Sequence, residues 1–266
     1  MSPDEVLALI VSAALALAVW GSWYAQSLRV GPLLRRTAAA SAPDVAPLLS
    51  IGILYGILRR FASFDVRDSG VYLFFYCVMG AGWLALGTLL MPLFNLSRRD
   101  DVLERSNPAA GWCIGGALLG LTLCFAGANI GDGPGWWVVV FCAALSTAGL
   151  FFLWACLDRL TGASEAITVE RDLASGIRAG GFFIAAGLIL GRAVAGDWTS
   201  AAAAVSDFFQ TGWPAVTILA VAAAAQRLFR PTVSQPAGPP LAAGVLPALV
   251  YVALGAAILT AIGWWR

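Results

Sequence analysis

Two passages hold the chain's most distinctive polar text, Arg98-Arg-Asp-Asp-Val-Leu-Glu-Arg-Ser-Asn-Pro108 and Ala166-Ile-Thr-Val-Glu-Arg-Asp-Leu173. Each sets a Glu-Arg pair, Glu104-Arg105 or Glu170-Arg171, ahead of a side chain that can cap a helix, Asn107 or Asp172. A helix start rich in small residues follows in both. Such groups can cap the helix and pair with one another at the surface, or they can present fixed charge to a docking partner or line a vestibule. A second set, Arg59, Arg60, Arg192 and Asp207, lies near the ends of apolar runs. These four are expected to form a polar cluster at one membrane interface, suited to an anion or a lipid headgroup. Arg178 also lies near a helix end, where snorkelling would carry its charge to water.

None of this is catalytic text. The chain has no histidine, which removes imidazole metal sites, His-dependent triads and His proton relays. It offers no paired-acid motif and no nucleophile–base pair, so neither an enzyme nor a cofactor is expected. Cys77, Cys113, Cys124, Cys142 and Cys156 all fall inside predicted spans without a Cys-x-x-Cys pair and read as small apolar helix residues.

The elements that must position these charges are membrane helices. Of the 266 residues 60% are hydrophobic and 12% charged, the balance of a polytopic membrane protein. A net charge of +1 without a basic patch gives no footprint for nucleic acid. Met1-Ser-Pro-Asp-Glu turns apolar at Val6 without the basic start or cleavage pattern of a signal peptide, so Val6 to Tyr24 is expected to remain as a first span. Since about 20 residues cross the hydrocarbon core, further spans are read at Val71 to Phe94, Ala109 to Ile130, Trp136 to Leu157, Leu173 to Ala195 and Leu241 to Trp265. Ala201 to Arg227 is interrupted by Asp207, Gln210 and Pro214. Val45 to Leu58 supplies only 14 residues before Arg59 and Arg60.

A periodicity decides that short segment. Gly52, Gly116, Gly180 and Gly244 stand 64 residues apart, and apolar runs begin near Val6, Val71, Trp136 and Ala201 at steps of 65. The step predicts one helical hairpin copied four times, over residues 1–68, 69–133, 134–198 and 199–266 of a single membrane domain. Val45 to Leu58 then occupies a second-helix position and is read as a span extended to about Phe64. The expected fold is all-α, an eight-helix membrane bundle of four tandem parallel hairpins.

Arginine placement supports the count. With eight spans and an external N-terminus, Arg29, Arg35, Arg36, Arg98, Arg99, Arg105, Arg159, Arg171, Arg178, Arg227 and Arg230 fall on the inner side, and Arg59, Arg60, Arg67, Arg192 and Arg266 on the outer. Both termini are then external. Trp136, Trp137, Trp198, Trp264 and Trp265 would form an outer aromatic belt. On the returning helices, Gly52/Gly56, Gly116/Gly120, Gly176/Gly180 and Gly187/Gly191 repeat at four-residue spacing, which lets helix backbones approach in lipid. These glycines and Gly244 are expected to pack helices within the chain or to form a homo-oligomer interface.

The run Val102-Leu-Glu-Arg-Ser-Asn-Pro-Ala-Ala-Gly-Trp-Cys-Ile-Gly-Gly-Ala-Leu-Leu-Gly120, with Val169-Glu-Arg-Asp-Leu-Ala-Ser-Gly-Ile-Arg-Ala-Gly-Gly181, resembles domain-of-unknown-function family 350, the YjfL-like bacterial inner-membrane proteins. The resemblance covers roughly Val71 to Trp198. Asn107, Ala109, Ala110, Gly115, Gly116 and Gly120 match the family's motif before a returning helix, and Asp172 departs from its Asn in the second copy. The resemblance implies a bacterial inner-membrane location and, in some members, an envelope-stress context. Two functions follow as expectations: a non-enzymatic scaffold or envelope-stress component binding a cytoplasmic protein through its charged loops, and alternatively a channel or transporter for a small solute, an ion or polyamine.

Overall fold

In a bilayer the backbone must satisfy its own hydrogen bonds, and a long apolar run with few charges does so as an α-helix. The computed structural model of the protein, which describes residues 1–30, 42–232 and 238–263, is all-α among those residues. Its helices are α1 (Pro3–Val30), α2 (Ala42–Phe61), the short α3 (Phe64–Arg67), α4 (Gly70–Leu90), α5 (Pro108–Gly127), α6 (Trp136–Thr161), the short α7 (Ala163–Thr168), α8 (Leu173–Ala193), α9 (Ala201–Gly212), α10 (Ala215–Phe229) and α11 (Leu246–Ile262). A π-helical turn, Arg98–Glu104, precedes α5, and another, Leu241–Val245, leads into α11. Among the described residues seven helical segments are long and apolar enough to cross a membrane, and an eighth exists if α9 and α10, bent by 42°, make one span. The bend falls at Trp213-Pro214, where proline lacks the N–H a continuous helix would use. Arg35 and Arg36 of the first loop, and Trp264, Trp265 and Arg266, lie outside the described residues.

The doubtful second segment runs the full height of the bundle. At its start Asp44 meets Arg98 at 2.9 Å, and just past its end Ala62 bridges to Gly131. These contacts lie at opposite ends of the molecule, one rich in arginine and one poor in it.

Four helices stand in a parallel row, α2, α5, α8 and α11. Ala42 lies opposite Gly115, and Ser50 shares a 2.7 Å hydroxyl hydrogen bond with Thr122. Between α5 and α8, Ala109 meets Gly176, Trp112 meets Gly180, Gly120 meets Gly187, and Leu123 meets Gly191. Between α8 and α11, Ala174 meets Gly244, Gly181 meets Ala248, and Ala185 meets Gly255. Residue numbers rise together along every pair, so all four helices point the same way.

The α5–α8 seam is backbone against backbone. A Cβ added to Gly116 would overlap the Gly180 backbone, one on Gly120 would lie 2.5 Å from Phe183 O, and one on Gly187 2.6 Å from Gly120 O. With no hydrophobic force to join helices in lipid, this closeness and its van der Waals contact hold the pair. Phe125, Phe182, Phe183, Leu118, Leu121 and Ile189, all fully buried, fill the space around it.

Gly52 and Gly56 do not share this role. A Cβ on either would meet nothing within 4 Å. Helix α2 turns Ala46, Ser50, Leu54 and Leu58 inward, which leaves the two glycines on its open face. The intramolecular packing expected for the whole set therefore holds for Gly116, Gly120, Gly176, Gly180, Gly187, Gly191 and Gly244, and fails for this pair.

Candidate functional sites at the two ends of the bundle

At the arginine-rich end the two polar passages fold alike. Arg105 N–H donates to Asp100 O and Glu170 N–H to Glu165 O; Asn107 N–H donates to Asp101 O and Asp172 N–H to Ala166 O. Ser106 and Arg171, the residues before the caps, both take positive φ, 51° and 56°. The two loops thus repeat one backbone path at the 65-residue step.

Both caps form. Asn107 Oδ1 accepts from Ala109 and Ala110 N–H, and Asp172 Oδ2 accepts from Ser175 N–H at 2.9 Å. Where the side chains differ, their further bonds differ. The Asn107 amide donates to Ile167 O at 2.7 Å and ties the first loop to the second. A carboxylate cannot donate, and Asp172 turns toward Arg178, 3.7 Å away.

Arg178 is buried, 2% exposed, rather than snorkelling. Its guanidinium donates to Gln226 Oε1 at 2.9 Å, to Ser175 Oγ at 2.9 Å and to Ala243 O, joining α8 to α10 and to the turn before α11. Nothing local in the sequence marks this node, because its partners come from distant segments; Gln226 inside an alanine-rich run was the available signal. Arg98 forms a second buried node, donating to Trp23 O, Ser27 Oγ and Asp44 Oδ1 with its guanidinium 4.0 Å from the Trp23 ring.

The loop charges form ion pairs at the surface, though not within either Glu-Arg dipeptide. Glu104 meets Arg99 at 3.4 Å with both side chains well exposed, Arg105 reaches Asp101, and Glu170 accepts from Arg230 at 2.6 Å beside Glu165. Burial pushes the Asp101 carboxyl above its ordinary range, against the Ser97 N–H bond and the nearby Arg105. The Glu170 hydrogen bond raises Arg230 above its ordinary value. Arg99, Arg105, Arg159, Arg171 and Arg227 remain exposed on this face with Glu104.

At the opposite end the four-residue polar cluster is not assembled. Arg59 donates to Arg67 O, Arg60 lies over Phe61, and Arg192 donates to Gly263 O and Ala195 O. Asp207 stands apart from them, on the wall of a cavity of about 200 Å³. Its other lining residues include Glu5, Asp65, Asp132 and Asp197, and the loops around it are locked by Gly196 N–H to Ile130 O, Trp198 N–H to Asp132 O and Asp132 N–H to Asp197 Oδ1.

The family model described as Domain of Unknown Function (DUF350) matches residues 63–194. No curated protein and no solved structure matches the chain. The matched segment takes in both capped loops, the α5–α8 glycine seam and most of the acidic cavity's walls. Over residues 63–194 the chain is thus similar to the DUF350 family, as its two polar passages led us to expect.

Proposed function

We propose that the protein is a non-enzymatic scaffold of the bacterial inner membrane that binds a cytoplasmic protein through the charged loops of its arginine-rich end. The observation that carries this reading is the closed centre. The middle of the bundle is taken up by α5 and α8 in backbone contact and by buried phenylalanine and leucine, which supports seeking the binding surface for a soluble partner at the ends. The excess of arginine at one end supports placing that end in the cytoplasm, with the N-terminus outside. Eight spans in four tandem hairpins fit the parallel row of returning helices and the two loops that repeat at a 65-residue step.

The capped, buried nodes hold the loops in place and leave Arg99, Glu104, Arg105 and Arg159 outward as a fixed pattern of charge. A carrier would need a polar route inward from the acidic cavity; its wall includes the apolar Val138 and Val139, and the buried hydroxyls of Ser146 and Thr122 are already hydrogen-bonded within the protein. The test is photo-crosslinking in cells from a probe placed at Arg159. A discrete adduct that disappears on exchanging the exposed pair, Arg99→Glu with Glu104→Arg, is expected. An adduct pattern unchanged by that exchange, or none, would defeat the reading.

A further inference from the structure

We propose that the cavity at the arginine-poor end is a binding site for a small organic ammonium ion. Five carboxylates line it, Glu5, Asp65, Asp132, Asp197 and Asp207, drawn from five different segments of the fold. No arginine lies among its described lining residues. Three of these carboxylates carry local bonds: Glu5 accepts from Ser2 N–H and Tyr72 OH, Asp65 from Ser63 Oγ, and Asp197 from Asp132 N–H. Asp132 and Asp207 spend no side-chain oxygen on the protein among the described residues. The charge of the rim is uncompensated from within.

A second and separate observation comes from the floor. Tyr76 is 8% exposed and lines the cavity, yet its hydroxyl has no protein partner among the described residues. Asn129, 7% exposed, spends its amide N–H on Phe125 O at 2.7 Å and leaves its Oδ1 without one. Both oxygens open onto the acidic cavity and are free to accept from a donor bound there. An ammonium N–H supplies that donor together with the missing positive charge.

The spread of the carboxylates selects the kind of cation. Among the described residues no three acidic, Cys or His side chains gather closely enough to hold a metal ion. Charges distributed around a space, with no point of convergence, match a cation that has a body of its own. A cavity of about 150 Å³ admits benzene, so about 200 Å³ has room for an amine of roughly six to eight non-hydrogen atoms. Tyr72, Tyr76 and Trp198 give this body aromatic walls, and ring faces attract ammonium groups. The site needs neither the cytoplasmic partner nor a given orientation, so its failure would leave the scaffold reading intact.

The experiment is calorimetric titration of the full chain in nanodiscs of zwitterionic lipid with n-butylammonium, beside n-butanol and magnesium at matched ionic strength. Saturable binding of n-butylammonium is expected, at least tenfold tighter than n-butanol and without competition from equimolar magnesium. Asp132→Asn with Asp207→Asn should weaken it at least fivefold. Tyr76→Phe, which keeps the packed ring, should weaken it at least threefold at an unchanged melting temperature, while Asp100→Asn at the far end should leave it unchanged. Equal binding of n-butanol, displacement by magnesium, indifference to the rim and floor variants, or failure of the series from methylammonium to hexylammonium to bind would each overturn the proposal.

Discussion

Arg178 carries a guanidinium at 2% exposure and satisfies it with Gln226, Ser175 and a backbone carbonyl. Removing one partner of a buried charged network costs about 3–5 kcal/mol, because the groups left behind keep their desolvation penalty. Arg178→Met should therefore lower the unfolding free energy in micelles by that order and shift the denaturation midpoint down, and Arg178→Lys should recover only part, since one ammonium cannot reach all three acceptors. A midpoint equal to the parent's would show that the node holds nothing. Asp101 is the opposite case. Its carboxyl is raised from an ordinary 3.8 chiefly by burial. The stabilisation that comes with protonating it is full below the ordinary value and lost as pH rises through the raised one. At neutral pH the ionised group is a cost, so Asp101→Asn should be slightly more stable than the parent there, with the gap closing as pH falls toward ~4. A gap that widens on acidification would reverse the assignment. The caps Asn107 and Asp172 were legible in the sequence because capping is settled within a few residues. Arg178 was not, since Gln226 and Ala243 reach it across 48 and 65 residues of chain.

Among the elements, the glycine helices separate two kinds of four-residue pair. Spacing says that Gly52 and Gly56 share a face, as do Gly116 and Gly120, and it cannot say which way either face turns. That is decided by the neighbours: α5 stands between α2 and α8 with small residues on both sides, and α2 packs on one side only. Gly116→Ala should push α5 from α8 and cost about 1–3 kcal/mol or more, as overpacking does. Gly52→Ala, with nothing within 4 Å of the new methyl, should be neutral or stabilise α2 by up to about 1 kcal/mol through helix propensity. Unfolding titrations of the two variants side by side check this, and equal losses in both would contradict the seam. The likeness of the two polar loops was legible at this scale as well, in the Glu-Arg and capping residue that each carries ahead of its helix, 65 residues apart. It did not anticipate that the second loop, with Asp in place of Asn, would turn inward to Arg178 and leave the bond across the loops to Asn107 alone.

At the scale of the whole molecule, apolar run lengths and the glycine step led to the spans, including α2, whose 20 residues connect the Arg98 node at one end to Gly131 at the other. What run lengths could not reveal was how the interior is closed, because that depends on which small residues meet. The consequence is a bundle whose central helices α5 and α8 meet backbone to backbone and whose ends are unlike, one presenting ordered charge and the other an acidic cavity. If the protein works as proposed, by binding at these ends, nothing passes between them. Flux into proteoliposomes tests this most directly, with purified protein under imposed gradients of sodium, potassium, chloride and n-butylammonium. The account expects rates equal to protein-free vesicles for all four, including the amine that the cavity is proposed to bind. Gradient-driven flux of any one, saturable and abolished by Asp207→Asn, would contradict it.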